Sequence, residues 1–231
     1  MLRLLKNKTF MLFFIGNITS LIGFGFNLIA ISWMVLEESG SEYLLGKIMA
    51  SATAPGLVLA IFAGVIIDKV NRKWLLVFLD IFRMLVVIGF LYFISKNEFE
   101  LSILYPVAFF MGLGNSLFWP TAQAFVQELV SEKDYFDANK LLSASYQVGS
   151  ILGASIGGLI VHAFSPVAAL WINILTYLVS AIFISLAPFK RKKLNTEDKS
   201  LYNSIMKGFS YLKNRTDVLI LGLTTILSDV A

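Results

Sequence analysis

Six apolar runs, each about 20 residues or longer, dominate the chain and leave little choice of fold. A helix of about 20 residues crosses a hydrocarbon core of about 30 Å, and inside that core every backbone polar group must be bonded internally. The runs extend roughly from Phe10 to Leu36, Leu44 to Ile67, Trp74 to Ile94, Leu101 to Val126, Leu141 to Val161 and Val167 to Pro188. A seventh opens near Val218 and reaches Ala231 after about 14 residues, short of a crossing. The first run follows Arg3, Lys6 and Lys8. It is too long for a signal-peptide core and lacks a small-residue cleavage site, so it reads as a retained anchor. Apolar residues make up 57% of the chain and charged residues 15%, against about 45–50% and 25% in soluble domains. A soluble enzyme, a disordered chain and a secreted disulfide scaffold are thereby excluded. With no Cys, thiol catalysis and Cys-based zinc sites are excluded too.

The net charge of +4 reflects where the basic residues lie. Of the 19 Lys and Arg, 16 fall in four segments that alternate to one side: the N-terminus, Asp68–Lys73, Gln127–Lys140 and Lys190–Arg215. Lys47 and Lys96 lie on the other side, with Glu37, Glu38, Glu42, Glu98 and Glu100. The positive-inside rule then predicts a cytoplasmic N-terminus. Basic residues scattered over loops form no footprint for nucleic acid, so no nucleic-acid role is expected.

Asp80 and Arg83 interrupt the third run. Each costs about 2.5–3.5 kcal/mol at a helix centre, whereas each Leu, Ile, Phe or Val returns about 0.3–0.6 kcal/mol. About a dozen apolar neighbours offset the pair, and i,i+3 spacing places both charges on one face. The span is viable if that face looks into a bundle. Beyond Pro188, Lys190–Lys193 forms a basic cluster, and Leu201, Ile205, Phe209 and Leu212 recur at helical spacing. The expected organisation is a six-helix transmembrane bundle over 1–188, a basic cytoplasmic linker over 189–216 and the start of a truncated seventh helix over 217–231. The linker is read either as an amphipathic helix on the inner leaflet or as a flexible connection.

The segment Gly64-Val65-Ile66-Ile67-Asp68-Lys69-Val70-Asn71-Arg72-Lys73 resembles the signature loop between the second and third helices of the major facilitator superfamily. Asn71 stands where that loop commonly has Gly, and Asn tolerates a left-handed turn next best. Gly64 is expected to permit close helix approach, Asp68 to meet a basic partner or a helix N-terminus, and Lys69, Arg72 and Lys73 to hold the loop on the inner face. In the fifth run Gly149, Gly153, Gly157 and Gly158 resemble the glycine-rich antiporter motif of drug–proton exporters, with Ala154 in place of its Pro. The stripe Ser145–Gly149–Gly153–Gly157 predicts a flat packing face. Trp33-Met34-Val35-Leu36, Leu44-Leu45-Gly46, Pro55, the Asp80/Arg83 pair, Glu128 and Ala138-Asn139 resemble the macrolide-efflux and siderophore-exporter branch over residues 10–188. Ala108 occupies a position where proton-coupled exporters often carry Arg.

The resemblance implies an all-α membrane protein of the major facilitator fold, a six-transmembrane-helix bundle built as a 3+3 inverted repeat. Gly64-x-x-x-Asp68 and Gly158-x-x-x-His162 hint at that repeat, with His162 at the outer interface. It also implies a conformational latch from Gly64, Asp68, Lys69, Arg72, Lys73 and Glu128. Cavity-lining candidates are Asn27, Asn115, Trp119 and Gln147, chosen as polar or aromatic residues near mid-depth, where polar groups cost free energy in lipid. Pro55-Gly56 and Pro120 are candidate bend points. Asp80 and Asp229 are the proton-coupling candidates, although Arg83 favours a structural, ionised Asp80.

The expected activity is alternating-access export of amphipathic drugs, macrolide-like compounds or siderophores against protons. The implied partners are the small-molecule substrate, protons, the lipid bilayer and a C-terminal six-helix half. The implied location is a bacterial inner (plasma) membrane. No cofactor or metal site is expected, and no phosphate-binding Gly-rich loop with Lys-Ser or Lys-Thr appears. A lipid transporter of the same fold and a non-transporting half-transporter remain alternatives. A membrane-embedded enzyme finds little to build on, with a single His and two charges inside the spans.

Overall fold

A computed structural model describes residues 3–59, 62–96 and 100–189. The linker over 190–216, the seventh span and Asp229 lie outside the described residues. The described chain is all-α, with helices α1 (Lys8–Ser39), α2 (Glu42–Leu59), α3 (Ala63–Lys69), α4 (Arg72–Ser95), α5 (Leu104–Leu129), α6 (Tyr135–Ala163) and α7 (Pro166–Leu186). Five helices are long and apolar enough to cross a membrane, and α2 with α3 passes the same test as a pair bent by 65°. Their outward faces carry exposed large apolar side chains, among them Phe78, Leu85, Leu159, Trp171 and Leu175. In water such surface invites association, whereas in hydrocarbon it costs nothing. The chain is a multi-pass membrane protein.

Local signals set the helix ends. Asn7 caps α1 by accepting from Thr9 N and Phe10 N at 2.9 and 3.3 Å. The same helix stops at Gly40, whose φ of 60° places it in the left-handed region. Ser165 caps α7 by accepting from Ala168 N at 3.1 Å, with Pro166 at the start of the helix. Asn71 does the equivalent work for α4. Its φ is −76° and its side chain accepts from Trp74 N. The left-handed turn expected at Asn71 is therefore replaced by a helix cap, in which the Asn amide oxygen accepts a bond that Gly has no side chain to accept.

The packing obeys a simple exchange. Helix α1 packs on α6 and α7, α5 packs on α2 and α4, and α4 packs on α7. Swapping the first three spans for the second three leaves this pattern unchanged. Each unit has an odd number of spans, so consecutive units run in opposite directions, as in an inverted repeat. The related crossings α1·α6 and α2·α5 are both made by small residues. A Cβ on Gly25 would lie 2.7 Å from the backbone of Gly153 and Ala154, and one on Gly112 would collide with Ala52 O.

Two expectations about backbone are corrected. The second run is not one continuous helix through Ile67, because α2 stops at Leu59 and α3 starts at Ala63. Pro55 sits within α2, and Pro120 within α5, so the change of direction follows Leu59 rather than Pro55-Gly56. Gly64 is not a close-approach glycine: a Cβ there would meet nothing within 4 Å, and the same holds for Gly158.

Candidate functional site

One end of the bundle gathers the start of α1, the end of α3, the start of α4 and the ends of α5 and α7. Thr9 Oγ1 donates to Pro188 O at 2.9 Å, and Lys73 Nζ donates to Ala187 O at 2.7 Å. Here Arg72 bridges two helices. Its Nη2 lies 2.8 Å from Asp68 Oδ1, and its Nη1 lies 2.7 Å from Glu128 Oε1 and 3.2 Å from Ala124 O. The side chains of Arg72 and Glu128 are only 15% and 16% exposed, so this pair is shielded where Asp68, at 69%, is not. Lys69 is exposed. Lys73 leaves the loop entirely: it is 7% exposed and caps the last carbonyls of α7.

At mid-depth, Asp80 and Arg83 face inward and draw four helices together. Asp80 Oδ1 accepts from Ser20 Oγ at 2.8 Å and from Arg83 Nη2 at 2.5 Å, and its Oδ2 accepts from Ser180 Oγ at 2.6 Å. Arg83 Nη2 also donates to Ser20 Oγ at 2.9 Å, and its Nη1 donates to Asn115 Oδ1 at 2.7 Å. The guanidinium lies between the rings of Phe118 and Tyr177, 4.3 and 4.5 Å from their centroids. Gly114 leaves room for it, since a Cβ there would lie 2.6 Å from Arg83 Cγ. Asp80 is fully buried and Arg83 2% exposed. A buried pair of this kind persists only when further hydrogen bonds fill both partners, and here they do.

The glycine stripe of α6 lies on α1. A Cβ on Gly149 would lie 2.6 Å from Leu21 Cβ, one on Gly153 would lie 2.5 Å from Ile22 O, and one on Gly157 would lie 3.0 Å from Phe26. Ser145 accepts from Asn17 Nδ2 at 2.8 Å in the same seam.

Two cavities share Phe24 and Asn115 in their walls, and Arg83 borders the smaller one. One, of about 480 Å³, lies between α1, α2 and α5 and is lined by Asn27, Leu28, Met49, Thr53, Met111 and Ser116. The other, of about 290 Å³, is lined by Leu21, Arg83, Phe118, Trp119 and Tyr146. Phe24 and Asn115 belong to both. The rings of Trp119 and Tyr146 stand 5.0 Å apart. Asn27, Asn115 and Trp119 thus share this space. Gln147 does not: it is exposed on α6 and lines neither cavity. It lies two positions from both Ser145 and Gly149 of the inward stripe, and its neighbour Tyr146 takes the wall instead. Ser20, Ser180, Phe118 and Tyr177 carry no sequence signal that ties them to Asp80 or Arg83.

A bundle of apolar helices with a sealed charge network, small-residue crossings and an apolar central cavity defines a membrane transporter fold rather than an enzyme site. A family model described as transmembrane secretion effector matches residues 2–225, and the chain belongs to this family of major facilitator transporters. It is 31% identical over 159 residues to the "Putative bacilysin exporter BacE" of Bacillus subtilis (strain 168), covering 68% of this chain and 39% of the relative. It is 29% identical over 185 residues to the "Uncharacterized MFS-type transporter YfiS" of the same strain, covering 78% and 43%. The "Multidrug efflux pump Tap" of Mycolicibacterium fortuitum is 23% identical over 189 residues, covering 78% and 45%. The chain spans less than half the length of these curated relatives.

Proposed function

We propose that this chain forms one six-helix half of a bacterial exporter of amphipathic small molecules, working by alternating access in the inner membrane. The observation that carries this reading is the pair of apolar cavities that share Phe24 and Asn115, in a bundle with a shielded charge bridge at one end. An apolar cavity with a few placed polar groups suits an amphipathic ligand. A bridge between α4 and α5 suits a contact that is made in one state and released in the other. Two of the relatives carry names that describe export or efflux, which supports the direction of transport. In this reading the bridged end and the N-terminus face the cytoplasm, which the excess of basic residues in those segments supports.

In this reading the Arg72–Glu128 pair, with Asp68, is the cytoplasmic latch. The glycine face of α6 lets α1 and α6 keep close contact. Asp80 serves the packing of the helices rather than proton carriage, because both its oxygens are filled and it has no exposure. Residues 189–216 link this half to a second bundle that begins with the run from Val218. Protons drive the cycle, as the family resemblance implies, and macrolide-like compounds or siderophores are the cargo classes.

The test is dye and drug accumulation by everted vesicles containing the complete protein, repeated after a protonophore collapses the gradient. Gradient-dependent accumulation is expected, with Asp80→Asn keeping its pH dependence. Lipid flipping that ignores the gradient would overturn the exporter reading. Asp68→Asn transporting at wild-type rate, at equal protein level, would remove the latch role.

A further inference from the structure

The polar groups that face the joined cavities have a common sense, and it comes from Arg83. A guanidinium has five donors and no acceptor, so only the carbonyl oxygen of the Asn115 amide can face it. The 2.7 Å bond from Arg83 Nη1 to Asn115 Oδ1 therefore fixes the flip of that amide and turns its NH2 group the other way. Asn115 lines both cavities where they join. Its Nδ2 has no hydrogen-bond partner among the described residues and is not among their buried unpartnered side-chain atoms, so it stays accessible. The charge that lines the smaller cavity is that of Arg83, and the compensating Asp80 is fully buried behind it. On α1, Asn27 lines the larger cavity while 6% exposed, and its Nδ2 also lacks a partner.

We propose that Asn115 is a specificity-determining residue that donates to an acceptor oxygen, a carboxylate or carbonyl, on the polar end of an amphipathic cargo. The proposal rests on the reading of these cavities as part of a transport pathway, and it deepens that reading by naming the cargo chemistry. An ammonium end is disfavoured, because it would bring donors to a donor and a positive charge towards the Arg83 edge. The apolar body of the cargo lies along Phe24, Met111 and Trp119. A site that offers an unpartnered donor in an apolar wall discriminates against ligands that leave it unmatched.

The test uses equilibrium binding to the complete protein in nanodiscs, with three probes that share one body: 4-phenylbutyrate, its methyl ester and 4-phenylbutylamine. The carboxylate and the ester are expected to bind about tenfold tighter than the amine, the worth of one well-placed hydrogen bond. Asn115→Asp keeps an acceptor for Arg83 and the same shape, but replaces the outward NH2 with an oxygen. It is expected to weaken the ester about tenfold and to remove or reverse the preference over the amine. The wild-type series alone tests the proposal if that variant fails to fold. Equal or tighter binding of the amine to the wild type, no binding of any probe, or a preference that survives Asn115→Asp overturns it. These outcomes leave vesicle transport to be judged separately. Loss of transport with the binding preference intact would instead sink the exporter reading alone.

Discussion

Arg83 Nη1 on α4 lies 2.7 Å from Asn115 Oδ1 on α5, and this one bond joins the buried charge network to the wall of the cavity. On one side of it, Asp80, Ser20 and Ser180 complete the coordination of a sealed ion pair. On the other, Asn115 opens onto space shared with Phe24, Asn27 and Trp119. The packing network and the cavity wall therefore share a residue, and changes in one are expected to reach the other.

The ion pair itself makes a sharp prediction. Breaking a buried pair by removing one partner costs about 3–5 kcal/mol, whereas replacing both with apolar residues is often close to neutral. Arg83→Met and Asp80→Leu are each expected to lower the unfolding free energy in detergent by about that amount. The double variant should recover much of the loss. Singles that match the wild type, or a double that is the sum of the two, would show that the network does not hold the helices.

Glycines that look alike in the sequence should separate under one substitution. Gly153→Ala and Gly112→Ala place a methyl against the Ile22 and Ala52 carbonyls, backbone that cannot turn aside, and should cost about 1–3 kcal/mol. Gly158→Ala meets nothing within 4 Å and should stabilise α6 by up to about 1 kcal/mol through helix propensity. Thermal melts of the three variants decide this. A Gly158→Ala loss as large as that of Gly153→Ala would mean that all four glycines pack.

Lys73 offers a local readout. Its ammonium donates to Ala187 O at the end of α7, where a cation is favourable by about 0.3–1 kcal/mol or more when part-buried. Lys73→Met should speed amide exchange at the end of α7, over residues 183–187, and leave the middle of that helix unchanged. Uniform exchange across α7 would show that the cap is not the contact that matters.

The class of fold was readable because span length and charge placement act locally. Asp80 and Arg83 announced an inward face by their cost alone, and the Gly149–Gly153–Gly157 stripe announced a flat one. Their partners were not readable. Ser20 and Ser180 are separated from Asp80 by 60 and 100 residues, and no local pattern says which hydroxyl reaches which carboxylate oxygen. Gly25, the counterpart of Gly153, stands among apolar residues that look like lipid-facing ones. Asn71 was read through its tolerance of left-handed backbone, whereas its hydrogen-bonding amide governs. Polarity near mid-depth points to Gln147, and a one-residue step around α6 puts Tyr146 on the cavity instead.

The central claim is that the Arg72–Glu128 bridge closes one end of a cavity that opens to the other. The chain has no Cys, so a single Thr53→Cys in the cavity wall can report access to a membrane-impermeant maleimide. Labelling is to be compared from each face of the membrane, in right-side-out and everted vesicles holding the complete protein, cysteine-free elsewhere. With the bridge intact, Cys at 53 should react faster from the face opposite the bridge. Glu128→Gln should shift reaction severalfold towards the bridged face, and Arg72→Glu with Glu128→Arg should restore the original balance. A balance between the two faces that Glu128→Gln leaves unchanged would contradict the account.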